Sequence, residues 1–219
     1  IGALTAVVLG HLCLAEDRAD GIGRLLFTRQ QSRIEYLWGK LLAVAVVLGV
    51  VTAFSSLLSL ASLVVVNRAV PGGSEVGRLV GFYALSWLYL MLFALVGVVT
   101  VLLVRRRSLA LLAGLSVWLV LTFAVPQFTS GSLPSASLSP TVDPAGTSQP
   151  FFRTTARLRA VSVTEQYKVS SAHILQTVPG EPAGNTALRL GPLLVSIAAL
   201  VALSARLVGR NDFSTVNDD

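Results

Sequence analysis

Residues 41–66 read LLAVAVVLGVVTAFSSLLSLASLVVV and contain no charged side chain. About 20 consecutive apolar residues are enough for an α-helix to cross a bilayer. This stretch therefore predicts a membrane span that is long enough to tilt. Similar uncharged runs cover residues 79–104, 108–126 and 190–205. The last run is short, and we expect Arg189 and Arg206 to snorkel at its two ends.

The composition agrees with a membrane protein. Hydrophobic residues make up 53% of the 219-residue chain and charged residues only 13%, whereas a soluble domain carries about 25% charged residues. The net charge is +6, but in so apolar a chain these cations indicate membrane topology rather than nucleic-acid binding. One cysteine and two histidines exclude an intrachain disulfide and a multi-cysteine metal site. No catalytic residue and no metal ligand set is predicted.

These runs divide the chain into three parts. We expect residues 1–15 to be the tail of a further membrane helix, which makes five membrane helices, four of them whole. Residues 1–126 would hold the first helices, residues 127–187 a long extracytoplasmic loop, and residues 188–219 the last span and a short cytoplasmic tail. The predicted fold class is an all-α, polytopic transmembrane helical bundle with a long outer loop before its last span.

Basic residues set the predicted orientation, because short cytoplasmic loops carry an excess of Lys and Arg. If residues 16–40 are cytoplasmic, the loop at residues 105–107 and the C-terminal tail are cytoplasmic too. That side then carries Arg18, Arg24, Arg29, Arg33, Lys40, Arg105, Arg106, Arg107, Arg206 and Arg210. The basic residues of the other side are spread over a much longer stretch, so we predict that residues 127–187 face outward.

The outer loop has two different halves. Proline, serine and glycine dominate residues 129–149, which predicts a flexible segment. Residues 154–176 lack both proline and glycine and predict a helix at the membrane surface. Two interpretations stay open for this half: a lid packed on the ends of the spans, or a contact for cargo or an extracytoplasmic partner.

A polar stripe runs along the first whole span. Thr52, Ser55, Ser59 and Ser62 recur at intervals of three and four residues, which places them on one helical face. Small polar residues at this spacing let membrane helices pack closely, and the same face could line a transport pathway. The whole spans contain no Asp, Glu, Lys, Arg or His between their ends, which disfavours a proton-coupled carrier. Energy for transport would then come from a partner.

Residues 16–40 carry the most specific pattern. Here the sequence resembles the permease subunits of type-2 ABC exporters, in which an acidic residue, a glycine, a leucine-rich turn, Ser-Arg and Gly-Lys lead into the next helix. The matching residues are Glu16, Gly21, Leu25, Leu26, Thr28, Arg33, Gly39 and Lys40. Ile22 and Gln30 depart from the pattern. Residues 77–126 and 159–175 resemble the NosY-like branch of this ABC-2 membrane family, which includes the permease of nitrous-oxide reductase maturation.

The resemblance implies a non-catalytic permease that exports or extracts a substrate across the cytoplasmic membrane of a bacterium or archaeon. Its partners would be two ABC ATPase subunits, which bind the ATP and Mg²⁺, and a second permease copy, identical or closely related. The coupling residues would be Glu16, Gly21, Leu25, Leu26, Phe27, Arg33 and Lys40. The alternative for this segment is a solvated loop with topogenic arginines. For the whole chain the alternatives are a non-transporting, force-transmitting or signalling subunit driven by an ATPase, and an ATP-independent carrier or channel.

Overall fold

A computed structural model describes residues 2–19, 32–67, 72–104, 106–130, 162–176 and 186–210. These residues form α-helices and one π-helical turn, and none of them lies in a strand. In chain order the helices are α1 (Gly2–Ala19), α2 (Arg33–Asn67), α3 (Gly73–Leu103), α4 (Arg107–Leu119), α5 (Val125–Ser130), α6 (Val163–Leu175) and α7 (Thr186–Arg210). The π-helical turn, Val120–Ala124, lies between α4 and α5. The all-α prediction is confirmed.

Four helical segments are long and apolar enough to cross a membrane. They are Arg33–Val66, Gly73–Leu103, Arg107–Phe128 and Leu190–Gly209, and Gly2–Glu16 is a shorter apolar helix. The four predicted whole spans are therefore found. Of these four segments, the one in α3 is the most buried: 67% of its most apolar stretch is buried within the chain, against 22% or less for the other three.

Polar caps explain where several helices begin. Ser32 precedes α2 and its hydroxyl accepts the Glu35 N–H at 3.2 Å, the serine half of a Ser-x-x-Glu capping box. Ser162 precedes α6 and accepts the Glu165 N–H in the same way. The helix α2 thus begins eight residues before the uncharged run at Leu41, inside the segment that was predicted to connect two spans.

The described chain divides into two compact units. The first consists of Ile1–Leu48, Leu90–Trp118 and Ser196–Asp219. Its core is a cluster of buried aliphatic side chains that come from α1, α2, α3, α4 and α7. The buried members are Leu14, Ala15, Leu37, Leu41, Leu95, Val98, Val101, Leu102, Ala110 and Val208.

Glycines bring the backbones of α1 and α3 into contact within this first unit. A Cβ atom added at Gly10 would overlap the carbonyl oxygen of Ala94, and one added at Gly97 would overlap the carbonyl oxygen of Val7. Only hydrogen fits at these two positions. Small residues at helix crossings allow such close approach in membranes, where apolar side chains gain little by leaving lipid.

The second unit consists of Gly49–Tyr89 and Leu119–Val195. Its described residues include the helix α6, Val163–Leu175, which lies in the predicted outer loop. Residues 154–161 lie outside the described residues, as does the predicted flexible stretch at 129–149 except for Thr129 and Ser130, which are the last residues of α5. Much of α6 is buried, including the polar residues Thr164, Glu165, Lys168, Ser170 and Ser171.

Candidate functional site

The predicted coupling residues fall partly on described helices. Glu16 is exposed in α1, Arg33 is the first residue of α2, and Lys40 lies one turn further along α2 than Tyr36. The Lys40 ammonium lies over the Tyr36 ring, 5.8 Å from its centroid. The other predicted coupling residues lie outside the described part of the chain: Gly21, Leu25, Leu26 and Phe27.

The two helices that flank residues 20–31 pack against each other. Leu14 and Ala15 near the end of α1 lie in the same buried cluster as Leu37 and Leu41 near the start of α2. The Cys13 thiol also lies 3.7 Å from the Lys40 carbonyl oxygen, to which it donates a weak hydrogen bond. The segment between the two helices is therefore held at both ends by one apolar core.

The hydroxyl face on α2 changes gradually in exposure. Thr52 is buried and donates to the Gly49 carbonyl at 3.0 Å. Ser55 is half-buried and donates to the Val51 carbonyl at 2.9 Å. Ser59 shares a hydrogen bond of 2.5 Å with the Tyr83 hydroxyl of α3, whereas Ser62 is exposed. Ser59 therefore bonds to a neighbouring helix, which gives the packing interpretation one specific contact.

A cluster of tyrosines in the second unit joins α3 to α6. The Tyr89 and Tyr167 rings stack with centroids 4.4 Å apart. The Ser86 hydroxyl donates to the Phe82 carbonyl, so its oxygen accepts the Tyr167 hydroxyl at 2.9 Å. Phe82 contacts the same tyrosine, with ring centroids 6.4 Å apart. Neither these tyrosines nor Ser86 was predicted as a site residue.

The π-helical turn supplies a further anchor for α6. The Val125 N–H donates to the Val120 carbonyl five residues back, and the buried Pro126 that follows has no N–H to donate. The Leu121 carbonyl in this widened turn accepts the Thr164 hydroxyl at 3.0 Å. Because the Thr164 hydroxyl hydrogen is already donated to Leu121, the Tyr89 hydroxyl is the donor in the 3.4 Å hydrogen bond to the Thr164 oxygen. Turns of this kind often occur at functional positions.

Burial favours the neutral form of Tyr167. Removal from solvent raises the pKa of the Tyr167 phenol, and the hydrogen bond with Ser86 partly opposes that rise. A neutral phenol can donate to Ser86 throughout the physiological pH range, because the ordinary tyrosine pKa is already about 10. The hydrogen bond from Tyr167 to Ser86 is therefore kept across the physiological pH range.

The described residues do not bring together a metal site. No group of three or more His, Cys, Asp or Glu residues in that part of the chain could hold a metal ion. The arrangement is instead one of packed apolar helices with a polar cluster around α6.

A family model described as ABC-2 family transporter protein matches residues 1–213. No curated protein and no solved structure matches the chain. The family match covers nearly the whole chain, and it agrees with the all-helical architecture and the four candidate membrane spans. The chain therefore belongs to the ABC-2 family of transporter proteins, whose members are generally the non-catalytic permease subunits of ABC transporters.

Proposed function

We propose that this permease works with two ATP-binding cassette subunits and a second permease copy to export or extract a substrate across a cytoplasmic membrane. The observation that carries the proposal is the packing of α1 against α2 at the two ends of residues 20–31. A partner that moves this segment would move two helices together, because both are fixed in one core. The ATP and Mg²⁺ would be bound by the partner subunits.

The absence of Asp, Glu, Lys, Arg and His between the ends of the whole spans supports an external source of energy. Carriers driven by protons or ions usually need such groups within the membrane. A permease without them depends on mechanical input. Leu25, Leu26 and Phe27 would seat in an apolar groove of the ATPase, while Glu16, Gly21, Arg33 and Lys40 would set the orientation and spacing of the segment.

The capped start of α2 supports transmission of that input. Ser32 fixes the first turn of the helix, and α2 continues without interruption to Asn67. Displacement of its first turn would tilt the whole helix, including the hydroxyl face at Thr52–Ser62. That face would pack against a second permease copy or line the substrate path. The short basic loop at residues 105–107 and the outer helix α6 fit the NosY-like branch of the family.

The outer helix α6 would serve as a lid on the extracytoplasmic side. Most of its polar residues are buried rather than exposed, which favours the packed lid over a helix that lies free at the surface. An extracytoplasmic partner would then contact the outer loop rather than the buried face of α6.

A double substitution, Leu26→Asp with Phe27→Asp, tests the coupling. Charge in an apolar groove costs several kcal/mol when it is left unpaired. We expect the purified complex to lose its ATPase subunit, or to keep it without substrate-stimulated ATPase activity, while the permease still inserts. The matched control places the same charges in the predicted cytoplasmic tail, as Phe213→Asp with Val216→Asp. Full coupled activity of the Leu26/Phe27 variant would contradict the proposal.

The orientation has a separate test. In a Cys13→Ser background, which keeps a donor toward the Lys40 carbonyl, single cysteines are placed at Gln31 and Ser139. Gln31 is preferred to Ser32 because Ser32 caps α2. A membrane-impermeant thiol reagent should label residue 139 in intact cells and residue 31 only after the membrane is opened. Labelling of both from outside would overturn the topology and the coupling proposal with it.

A further inference from the structure

A cleft in the first unit has no role in the coupling just described. Its volume is ≈ 640 Å³, and it lies between α1 and the start of α4. Val8, His11 and Leu12 line it from α1, and Arg106, Arg107 and Ser108 line it from the loop and helix opposite. One side of the cleft is thus mainly apolar and the other is strongly basic.

The basic side suits a negatively charged group. Arg107 is the first residue of α4, a helix of 13 residues, and the free N–H groups at a helix start attract anions. The Arg106, Arg107 and Ser108 side chains are exposed, so their donors are available to a ligand. Guanidinium groups match phosphate geometry especially well because they present paired N–H donors.

A buried histidine gives the second, independent indication of a ligand. His11 is only 2% exposed, lines the cleft, and has no hydrogen-bond partner for Nδ1 among the described residues. Arg107 is close enough to act electrostatically on its imidazole. An unsatisfied buried polar atom is costly, and a ligand that packs beside His11 would bring polar groups next to its imidazole.

Apolar side chains continue from the cleft along the outer surface of the helices. Leu12 lines the cleft and is partly exposed, and Leu109 and Leu112 on α4 are 49% and 63% exposed. A ligand that is anionic at one end and apolar at the other would contact both the arginines and these leucines. The predicted topology puts the loop at the cytoplasmic face, where anionic lipids concentrate.

We propose that this cleft binds the phosphate headgroup of an anionic phospholipid, with its acyl chains along Leu12, Leu109 and Leu112. Arg106 and Arg107 hold the phosphate, Ser108 and the start of α4 donate to its oxygens, and His11 donates to a headgroup or glycerol oxygen. The site does not require the coupling of residues 16–40 to an ATPase, so each proposal can fail without the other.

Native mass spectrometry of the full-length, delipidated protein tests the site. Phosphatidylglycerol and phosphatidylcholine with identical acyl chains are titrated separately, and we expect phosphatidylglycerol to bind at clearly lower concentration. In the variant Arg106→Gln with Arg107→Gln, its half-saturating concentration should rise roughly thirtyfold. Arg106→Lys with Arg107→Lys should recover most of the binding.

The matched control is Arg206→Gln with Arg210→Gln, which removes two positive charges from the same predicted side but outside the cleft. We expect it to bind phosphatidylglycerol within about twofold of the wild type, since neither arginine is among the described residues that line the site. Size-exclusion profiles check that each variant folds. Equal binding of the two lipids, or unchanged phosphatidylglycerol binding in the Arg106/Arg107 variant, would overturn the proposal.

The same variants and lipids also test two other occupants of the cleft. Displacement of phosphatidylglycerol by an excess of inorganic phosphate would assign the cleft to a free phosphate and overturn the lipid assignment. Loss of an ATPase subunit from the Arg106/Arg107 variant, with its phosphatidylglycerol binding unchanged, would assign the arginines to a protein contact instead. Retention of the subunit with loss of lipid binding supports the proposed site.

Discussion

Each of the two units is stabilised internally by a different kind of contact. In the first, glycines at positions 10 and 97 put backbone against backbone, and a cluster of aliphatic side chains fills the core. In the second, hydroxyl groups and tyrosine rings join α3 to α6, and a widened helical turn accepts one of the hydrogen bonds. The first unit is thus stabilised by close packing, and the second by directional hydrogen bonds.

This difference has a consequence for motion. Close backbone packing is intolerant of displacement because a small shift creates overlap or a void. Hydrogen bonds between side chains each contribute about 1 kcal/mol net and can exchange with water. We therefore expect the first unit to transmit force as a rigid body, and α6 in the second unit to open at lower energy.

The largest effect is expected at the glycine crossing. Gly97→Ala would force its new methyl group into the Val7 carbonyl, and overpacking of this kind costs about 3 kcal/mol. The matched control is Gly77→Ala in the same helix, where nothing lies within 4 Å of the added Cβ. Thermal unfolding in detergent should show a much lower midpoint for the first variant and no loss for the second. Equal midpoints would show that the backbones do not touch in the membrane.

The sequence predicted the spans well but not this crossing. Long uncharged runs such as residues 41–66 determine a membrane helix by length alone. A signal for the crossing did exist, because Ala6 and Gly10 have the small-xxx-small spacing that is typical of helix contacts in membranes. However, this spacing predicts only that α1 has a contact face. It does not predict that Gly97 of α3 is the residue opposite.

The polar cluster was missed for a related reason. Ser86 and Tyr167 are 81 positions apart in the chain, and no local period joins them. The acceptor at Leu121 is a backbone carbonyl in a π-helical turn, which has no side-chain signature of its own. Pro126 was interpreted as the end of a span, and the widened turn that precedes it was not predicted. The hydroxyl face on α2 was found because it is a pattern within one helix.

The next effect concerns the anchor on the π-helical turn. Thr164→Val keeps the shape of the side chain but removes the donor to the Leu121 carbonyl and the acceptor for Tyr89. We expect amide hydrogen exchange over residues 163–175 to become about tenfold faster, equivalent to roughly 1.4 kcal/mol. Thr5→Val is the control, since its hydroxyl bonds only to the Gly2 carbonyl of its own helix. Unchanged exchange in α6 would mean that the anchor contributes nothing to its docking.

A smaller effect should follow from pH. Burial raises the pKa of Tyr167 in the folded protein, so the stability that its neutral form provides is complete below the unfolded value of about 10. That stability is lost as the pH rises through the higher folded value. Exchange in α6, corrected for the intrinsic pH dependence, should stay constant from neutral pH to about pH 9 and then accelerate.

Tyr167→Phe should weaken this alkaline step, whereas Tyr36→Phe in the first unit should leave it unchanged. An acceleration of α6 exchange that begins near neutral pH would contradict the argument, because no group in the cluster would then account for it. An alkaline step of the same size in Tyr167→Phe would assign the titration to another residue.

The smallest effect is expected along the hydroxyl face of α2, where Ser59 and Ser62 are neighbours with different surroundings. Ser59→Ala removes the hydrogen bond to Tyr83 and should lower the stability of the permease by about 1 kcal/mol. Ser62→Ala should change it by less than about 0.5 kcal/mol, because Ser62 is exposed in the single chain.

Leucine at position 62 then separates the two interpretations of the face that a single chain leaves open. If Ser62 faces lipid, Ser62→Leu should preserve both stability and transport, since insertion of a leucine side chain into a bilayer is favourable. If the face meets a second permease copy or lines the path, the same variant should keep the stability of the single chain while crosslinking between copies or transport falls, and that split could not arise from a lipid-facing residue.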